Sequence, residues 1–421
     1  MKHFLAILSI TFLGGLAQGQ DIDYARSVVA KLTAPDMHGR GYVNKGDYLA
    51  AQYLKAEFSK LGLQKFGVDY HQSFAHPVNT YPGKMEIHLD DNVLVPGKDF
   101  IVDPSSPGFF GTFELYWFED LVLKSEKNIQ KFIKKTDQFK FIVVKEQEIV
   151  KGEQRQLLNA AVKTYMARGI IIVRDKLTWG VSPIIGRYPI VEILKDKISK
   201  SSRKINIEME CLHIPKYESQ NIVGYIPGTQ KDSFIVFTAH YDHLGRMGTA
   251  TYFPGANDNA SGSAMILDLA KYYLNDVDTP KYSIAFIAFA AEEVGLAGSK
   301  YYTENPMFSL KKIKFLINLD LMGNGVDGIT VVNGTVFQRE FETLVALNAQ
   351  DSLVKEVKIR GKAANSDHHF FTEKGVPSFF IYTLGGSKAY HDVFDTSDNL
   401  ALSEYEDVFR LLTSFVSTIH Q

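Results

Sequence analysis

The sequence predicts an α/β layered fold, and three observations carry that reading. Beyond Asn221 there are four continuous apolar runs: Phe234 to Ala239, Tyr282 to Ala290, Ile313 to Asn318 and Pro377 to Tyr382. They are rich in β-branched and aromatic residues, as central strands buried on both faces are. Stretches of helical periodicity alternate with them, among them Ser261 to Leu274 and a last one from Ser403 to Ile419, the pattern of helices layered on a sheet. The composition, 45% hydrophobic and 22% charged over 421 residues, is ordinary for a globular chain and excludes disorder, collagen and coiled coil. At about 150 residues per unit, that length predicts roughly two to three structural units.

Taken in order, the first element stands outside the fold. Lys2 and His3 give a positive start, Phe4 to Leu16 is an apolar run of 13 residues, and Ala17-Gln18-Gly19 supplies small residues around a cut. This reads as a secretory signal peptide cleaved near Gly19, with export to the periplasm or the medium. A run of 13 falls short of the ~20 residues a spanning helix needs, and no later run is longer, so no stable membrane insertion is expected. Gly46 to Gly62 reads as a helix with Ala50, Leu54, Phe58 and Leu61 on one face and Gly62 as its C-cap. From about Tyr70 to Pro215 the pattern changes to short strands and turns. Strands are expected at Phe141 to Val144, Ile170 to Val173 and Pro189 to Ile193, and a helix over Leu157, Leu158, Ala161, Val162, Tyr165 and Met166.

Charge and cysteine content narrow the chemistry. Forty-six Lys+Arg against 48 Asp+Glu leave a net charge of -2 with no block of one sign, so no nucleic-acid partner is expected. Cys211 stands alone, which excludes an intramolecular disulfide and a cysteine-based metal cluster. Any metal must be held by His, Asp and Glu.

Those residues gather at strand ends. Phe234 to Ala239 runs into His240-Tyr241-Asp242-His243, Tyr282 to Ala290 into Glu292-Glu293, and Ile313 to Asn318 into Asp320. Ligands collect outside the carboxyl ends of strands in open α/β sheets. Two loop residues join them: Asp258, within Pro254-Gly255-Ala256-Asn257-Asp258-Asn259, and His391, after Gly385-Gly386. Two divalent metals ~3.5–4 Å apart need a bridging carboxylate with His and carboxylate ligands on each side. Imidazole and carboxylate without thiolate suit Zn²⁺, and also Co²⁺ or Mn²⁺. Asp242, two residues from His240, is placed to hold the other N–H of that imidazole. Of the adjacent pair Glu292 and Glu293, one can bind metal while the other takes a proton from the attacking water. Each group alone has an ordinary explanation as a turn, a cap or a solvated face. Gathered together, carboxylates without a cation would repel.

The motifs resemble those of a known family. Thr238-Ala239-His240-Tyr241-Asp242, Gly255-Ala256-Asn257-Asp258-Asn259-Ala260-Ser261-Gly262, Ala291-Glu292-Glu293-Val294-Gly295-Leu296-Ala297-Gly298-Ser299 and Asn318-Leu319-Asp320-Leu321-Met322-Gly323 are similar, in this order, to the signature blocks of the di-zinc exopeptidases. That family includes secreted bacterial aminopeptidases, glutamate carboxypeptidases and, more distantly, glutaminyl cyclases. Ser366-Asp367-His368 and Asp36-Met37-His38-Gly39-Arg40-Gly41 also resemble family segments, and the middle of the chain resembles a protease-associated insert. The resemblance implies a three-layer zinc aminopeptidase-type domain, with a central, mostly parallel mixed sheet and a smaller inserted α/β domain. It divides the chain into residues 20–75 and 216–421 for the peptidase domain and 76–215 for the insert.

Residue by residue, the resemblance implies that Asp258 bridges two zinc ions. His240 and Asp320 would complete one site, and Glu293 and His391 the other. Glu292 would be the general base and Asp242 the residue that orients His240. It further implies a cis peptide between Asp258 and Asn259. Asp367 is expected near the rim of the site without reaching a metal. The final block departs from the family, reading His391-Asp392-Val393-Phe394-Asp395 where Ser or Thr usually follows the His. The expected protein is an exported zinc exopeptidase acting on peptides, most of all an aminopeptidase. A glutaminyl cyclase-like aminoacyltransferase with one zinc and a catalytically inactive binding module on the same scaffold are the alternatives.

Overall fold

Local signals start and stop the first helices. In α1 (Ile22–Leu32) the Asp21 carboxylate accepts the Tyr24 N–H at 2.9 Å. Helix α2 (Gly46–Leu61) ends where Gly62 turns left-handed at φ +89°, and its stripe of Ala50, Leu54 and Phe58 is buried. These and the following elements come from a computed structural model, which describes residues 20–119, 122, 125–135, 139–145, 156, 168–275 and 279–420. The signal segment through Gly19 and the helical stripe from Leu157 to Met166 lie outside the described residues.

The chain then leaves one sheet, builds a second, and returns. Strand β1 (His71–Thr80) leads outward. The second sheet collects β2 (Met85–Leu89), β3 (Asn92–Leu94), β4 (Phe100–Val102), β5 (Phe109–Trp117), β6 (Lys140–Lys145), β7 (Gly169–Arg174), β8 (Ile190–Leu194) and β9 (Lys204–Met209), with helix α3 (Glu126–Lys135) between β5 and β6. Strand β10 (Leu212–Ile226) leads back and pairs antiparallel with β1. After it come β11 (Gln230–His240), the hairpin β12 (Gly245–Met247) and β13 (Thr251–Phe253), α4 (Gly262–Asn275), β14 (Tyr282–Phe289), α5 (Ala297–Glu304) and β15 (Ile313–Leu319). The chain closes with β16 (Gly328–Val332), α6 (Gln338–Asp351), β17 (Val357–Ile359), α7 (His368–Glu373), β18 (Ser378–Leu384) and α8 (Tyr405–His420).

Among the described residues the first sheet has the order β1-β10-β14-β11-β15-β18-β16-β17. Its centre, β14-β11-β15-β18, is parallel, and antiparallel pairings flank it on both sides. Period-2 alternation produces three layers. From β11, Ile235, Phe237 and Ala239 face the core of α1, α2, α4 and α8, while Phe234 and Val236 face the core holding Tyr302 of α5 and Phe371 of α7. The expected layered mixed α/β fold is therefore present. The four apolar runs predicted as central strands are β11, β14, β15 and β18.

The second sheet has the order β3-β2-β9-β5-β6-β7-β8-β4, with β5 to β8 parallel. It does not stand apart from the first unit. Leu244, Met247 and Phe253, in and beside the β12–β13 hairpin, are buried in the same cluster as Phe100, Val143, Trp179 and Ile207. Among the described residues no helix is long and apolar enough to cross a membrane.

Candidate metal centre

The parallel strands deliver their last residues to one place. His240 ends β11, Asp320 follows β15, and Glu292 and Glu293 lie in the turn between β14 and α5. Asp258 comes from the irregular turn that opens α4, where the Asp258–Asn259 peptide is cis. His391 comes from the loop after β18.

Asp258 is central. Its Oδ1 lies 3.3 Å from His240 Nε2 and its Oδ2 lies 3.0 Å from His391 Nε2. His240 Nε2 is also 3.4 Å from Asp320 Oδ1, and His391 Nε2 is 3.3 Å from Glu293 Oε2. The five predicted ligands thus converge as two half-sites sharing one carboxylate. With Glu292, Leu321, Asn365, Phe380, Tyr382 and Tyr390 they line a cavity of about 170 Å³.

Electrostatics fits this geometry. Burial works against the charge on Asp258, yet hydrogen bonds from His240 and His391 hold its carboxyl well below the usual range. Burial also opposes charge on Glu293, but His391 and His243 bring it down to about 2. His391, despite its own burial, is pushed up to about 12 by Glu293 and Asp258. Glu292 goes the other way: burial lifts its carboxyl well above the usual range, and neighbouring Glu293, Asp367 and Asp320 add to that against the pull of His240. Of the adjacent pair, one is held ionised and the other is primed to keep a proton.

Whether these residues fit a metal is a question of donors. The atoms of His240, Asp258 and Asp320 lie within 4.8 Å of one another, as do those of His243, Asp258 and Glu293. All are imidazole nitrogens and carboxylate oxygens, the donor set suited to zinc. Two histidines compete for the second half-site. His243 Nδ1 sits 2.8 Å from Glu293 Oε1, while His391 Nε2 faces both Asp258 and the other oxygen of Glu293 and lines the cavity. His243 is fully buried and absent from the cavity wall, so its geometry is that of a partner orienting Glu293.

The surroundings differ in part from the sequence reading. His240 Nδ1 meets the backbone carbonyl of Asp242 at 3.1 Å, whereas the Asp242 carboxylate is 3.9 Å away. That carboxylate instead accepts the N–H groups of Glu292 and Glu293 at 3.1 and 3.3 Å and the Tyr42 hydroxyl at 3.1 Å. Asp242 therefore hydrogen-bonds the glutamate turn through its carboxylate and His240 through its main-chain carbonyl. Asp367, expected at the rim, is fully buried, because its segment turns inward to start α7. Its neighbour Ser366 donates to Asp320 Oδ2 at 3.2 Å and accepts from the Asn318 side chain at 2.8 Å.

Several residues escaped the sequence reading as site components. Arg40, buried, donates to the carbonyls of Tyr241, Leu32, Pro254, Gly255 and Asp258 at 2.6–3.2 Å. Asp395 accepts the N–H groups of Asn257 and Asp258 at 2.9–3.1 Å. This is where the departure after His391 goes: Asp395 braces the turn carrying Asp258, and Asp392 accepts the N–H groups of Tyr390 and Phe394 within its own loop. Gly255 is required there, at φ +62°, since a Cβ would meet the Asp258 carbonyl at 2.2 Å and the His243 ring at 2.3 Å.

A three-layer α/β sheet with a shared-carboxylate cluster at its parallel strand ends is the arrangement that the resemblance to di-zinc exopeptidases implies. Residues 221–416 match the profile of Peptidase family M28. Aminopeptidase YwaD of Bacillus subtilis is 29% identical over 265 residues, covering 59% of this chain and 56% of that protein. An aminopeptidase of Pseudomonas aeruginosa is 26% identical over 238 residues, 48% of this chain and 42% of that one. The chain thus spans about half the length of the curated relatives it matches. The crystal structure of BSAP, a zinc aminopeptidase from Bacillus subtilis, superposes with a TM-score of 0.71 at 21% identity, covering 94% of both chains. A Peptidase M28 precursor from Shewanella amazonensis gives 0.70 at 19%, covering 95% of this chain and 93% of that one. At these identities the structures speak for the fold alone.

Proposed function

We propose that the protein is a zinc-dependent aminopeptidase that removes N-terminal residues from peptides. The observation that carries this reading is Asp258, whose two oxygens each face a different imidazole while Asp320 and Glu293 close the two halves. His240, Asp258 and Asp320 would hold one ion, and His391, Asp258 and Glu293 the other. Bound zinc supplies Lewis acidity, polarising the scissile carbonyl and making water a competent nucleophile near neutral pH.

The chain's own groups supply the rest. Glu292 lines the cavity without belonging to either half-site, so it is free to take the proton of the attacking water and return it to the leaving amine. Its raised carboxyl suits a residue that must carry that proton between the two steps. Asp242 holds the backbone of the Glu292–Glu293 turn and thereby aims both carboxylates. Leu321, Phe380, Tyr382 and Tyr390 form the apolar wall against which the first side chain of the substrate would lie. The same proposal takes residues 76–215 as a protease-associated-like insert and the first 19 residues as an export signal.

A panel of aminoacyl-nitroanilides, run beside N-blocked and C-terminal reporters, tests the reading. We expect hydrolysis of free-amine substrates alone, lost on chelation and restored by zinc. Cyclisation of N-terminal Gln without peptide hydrolysis, at one zinc per chain, would replace the proposal with the aminoacyltransferase alternative.

A further inference from the structure

Four of the five proposed ligands are steadied from within the first unit. His240 leans on the Asp242 carbonyl, Asp320 on Ser366 and Glu293 on His243, and the Asp258 backbone is held by Asp395 and Arg40. His391 is different. Its Nδ1 lies 2.8 Å from the carbonyl of Trp179, and the Trp179 N–H donates to the His391 carbonyl at 2.9 Å. Trp179 lies 212 residues upstream, in the segment between β7 and β8 of the second sheet. A carbonyl only accepts, so Nδ1 carries the hydrogen and Nε2 is the atom offered toward Asp258 and Glu293.

The clamp is itself anchored. Trp179 is 5% exposed, its indole N–H donates to the Val102 carbonyl at 2.8 Å, and its ring packs on Phe253 with centroids 4.6 Å apart. Val102 belongs to β4 of the second sheet and Phe253 to the hairpin of the first unit, so the ring is wedged at the junction. Close by in sequence, Lys176 Nζ donates to the Lys388 carbonyl at 2.7 Å and lies 3.5 Å from the Asp392 carboxylate, gripping the loop on either side of His391.

We propose that Trp179 is a positioning residue for His391, and that the second sheet serves the metal centre by fixing the orientation and tautomer of this one ligand. This rests on the reading of His391 as a zinc ligand. Partners of this kind are typically worth ~10–100-fold in metal affinity. The effect should fall on one ion of the two, because the Trp179 contact reaches none of the other four ligands among the described residues.

The experiment titrates zinc into metal-free full-length protein against a chromogenic chelator, for the wild type, Trp179→Ala, Trp179→Phe, Lys176→Met and His391→Ala. Trp179→Ala keeps the carbonyl that meets His391 but removes the ring that anchors it, so we expect one zinc to bind as in the wild type and the other more weakly, by up to the ~10–100-fold of a lost partner. Trp179→Phe, which keeps a ring but loses the indole N–H, should fall between them. Lys176→Met, at a side chain 51% exposed, should weaken the same ion several-fold without disturbing the core, and so decides the matter if Trp179→Ala does not fold. Excess zinc should restore kcat in these variants with KM near the wild-type value, which a general loss of structure would not allow. Two wild-type zinc affinities in both Trp179→Phe and Lys176→Met, or losses spread equally over both ions, would overturn the proposal. Should His391→Ala bind two zincs as tightly as the wild type, the ligand assignment beneath it falls, and that outcome is recognisable whatever the Trp179 variants do.

Discussion

The two halves of the metal centre are built by different means. His240 and Asp320 stand at the ends of neighbouring parallel strands, with side chains 2% and 9% exposed, and the sheet itself sets their separation. Glu293 and His391 come from loops, and His391, at 16% exposed, depends on hydrogen bonds from a distant segment. Secondary structure makes one half rigid at no extra cost. The other half has to be assembled, and several unrelated contacts are needed to do it. Asp258 joins them, so its carboxylate reports on both.

Three measurements would sharpen or break this contrast. The largest effect is expected from Glu292→Gln, which touches neither half. Both zincs should stay bound while kcat falls by ~10²–10⁴ with little change in KM. Loss of an ion from this variant would assign Glu292 to a half and undo its role as base.

Next is the pair Glu293→Gln and Asp320→Asn, compared by metal analysis. Each replaces an anionic ligand with a neutral amide, so each should empty its own half first, by more than the ~10–100-fold of an outer partner. Added zinc should partly restore both. If either variant loses both ions together, the halves do not act separately.

The last measurement is the pH dependence of zinc uptake. In the metal-free protein His391 is pushed up to about 12 against an ordinary value of 6.5. Its charged form therefore stabilises that state fully below pH 6.5 and ceases to do so as pH rises through about 12. Between those limits zinc must displace the proton, so affinity in the His391 half should rise about tenfold per pH unit. Calorimetry in buffers of differing ionisation enthalpy counts the released protons. Uptake in that half with no proton released would contradict this account.

The same contrast explains what could be read in the sequence. His240, Glu292, Glu293 and Asp320 were legible because a continuous apolar run marks a buried strand, and the polar residue after it marks the strand's end. Asp258 and His391 became assignable only through motif resemblance, since a turn rich in Asn, Asp and Gly looks alike whether or not it binds metal. Trp179, Arg40 and Asp395 were not legible. They act mostly on backbone carbonyls and N–H groups 137 to 218 residues away, and a main-chain partner leaves no trace in residue type. Asp242 does lie beside His240, as its spacing suggested, but the 3.1 Å contact runs through its carbonyl and the carboxylate stands 3.9 Å away. Asp367, expected at the rim, is buried because its segment turns inward to start α7, which residue type does not reveal.

Arg40 has one more consequence. It lies far outside residues 221–416, which match the family profile, yet all five of its hydrogen bonds end on buried carbonyls, four of them within that span. A fragment cut at residues 221 and 416 would lose that guanidinium together with α1 and α2, whose Val28, Leu32, Ala50, Leu54 and Phe58 belong to the main core. The stretch by which the chain is recognised is therefore not a stretch that can stand alone. Kinship and autonomy have different borders in this molecule, and the border of autonomy begins no later than Arg40.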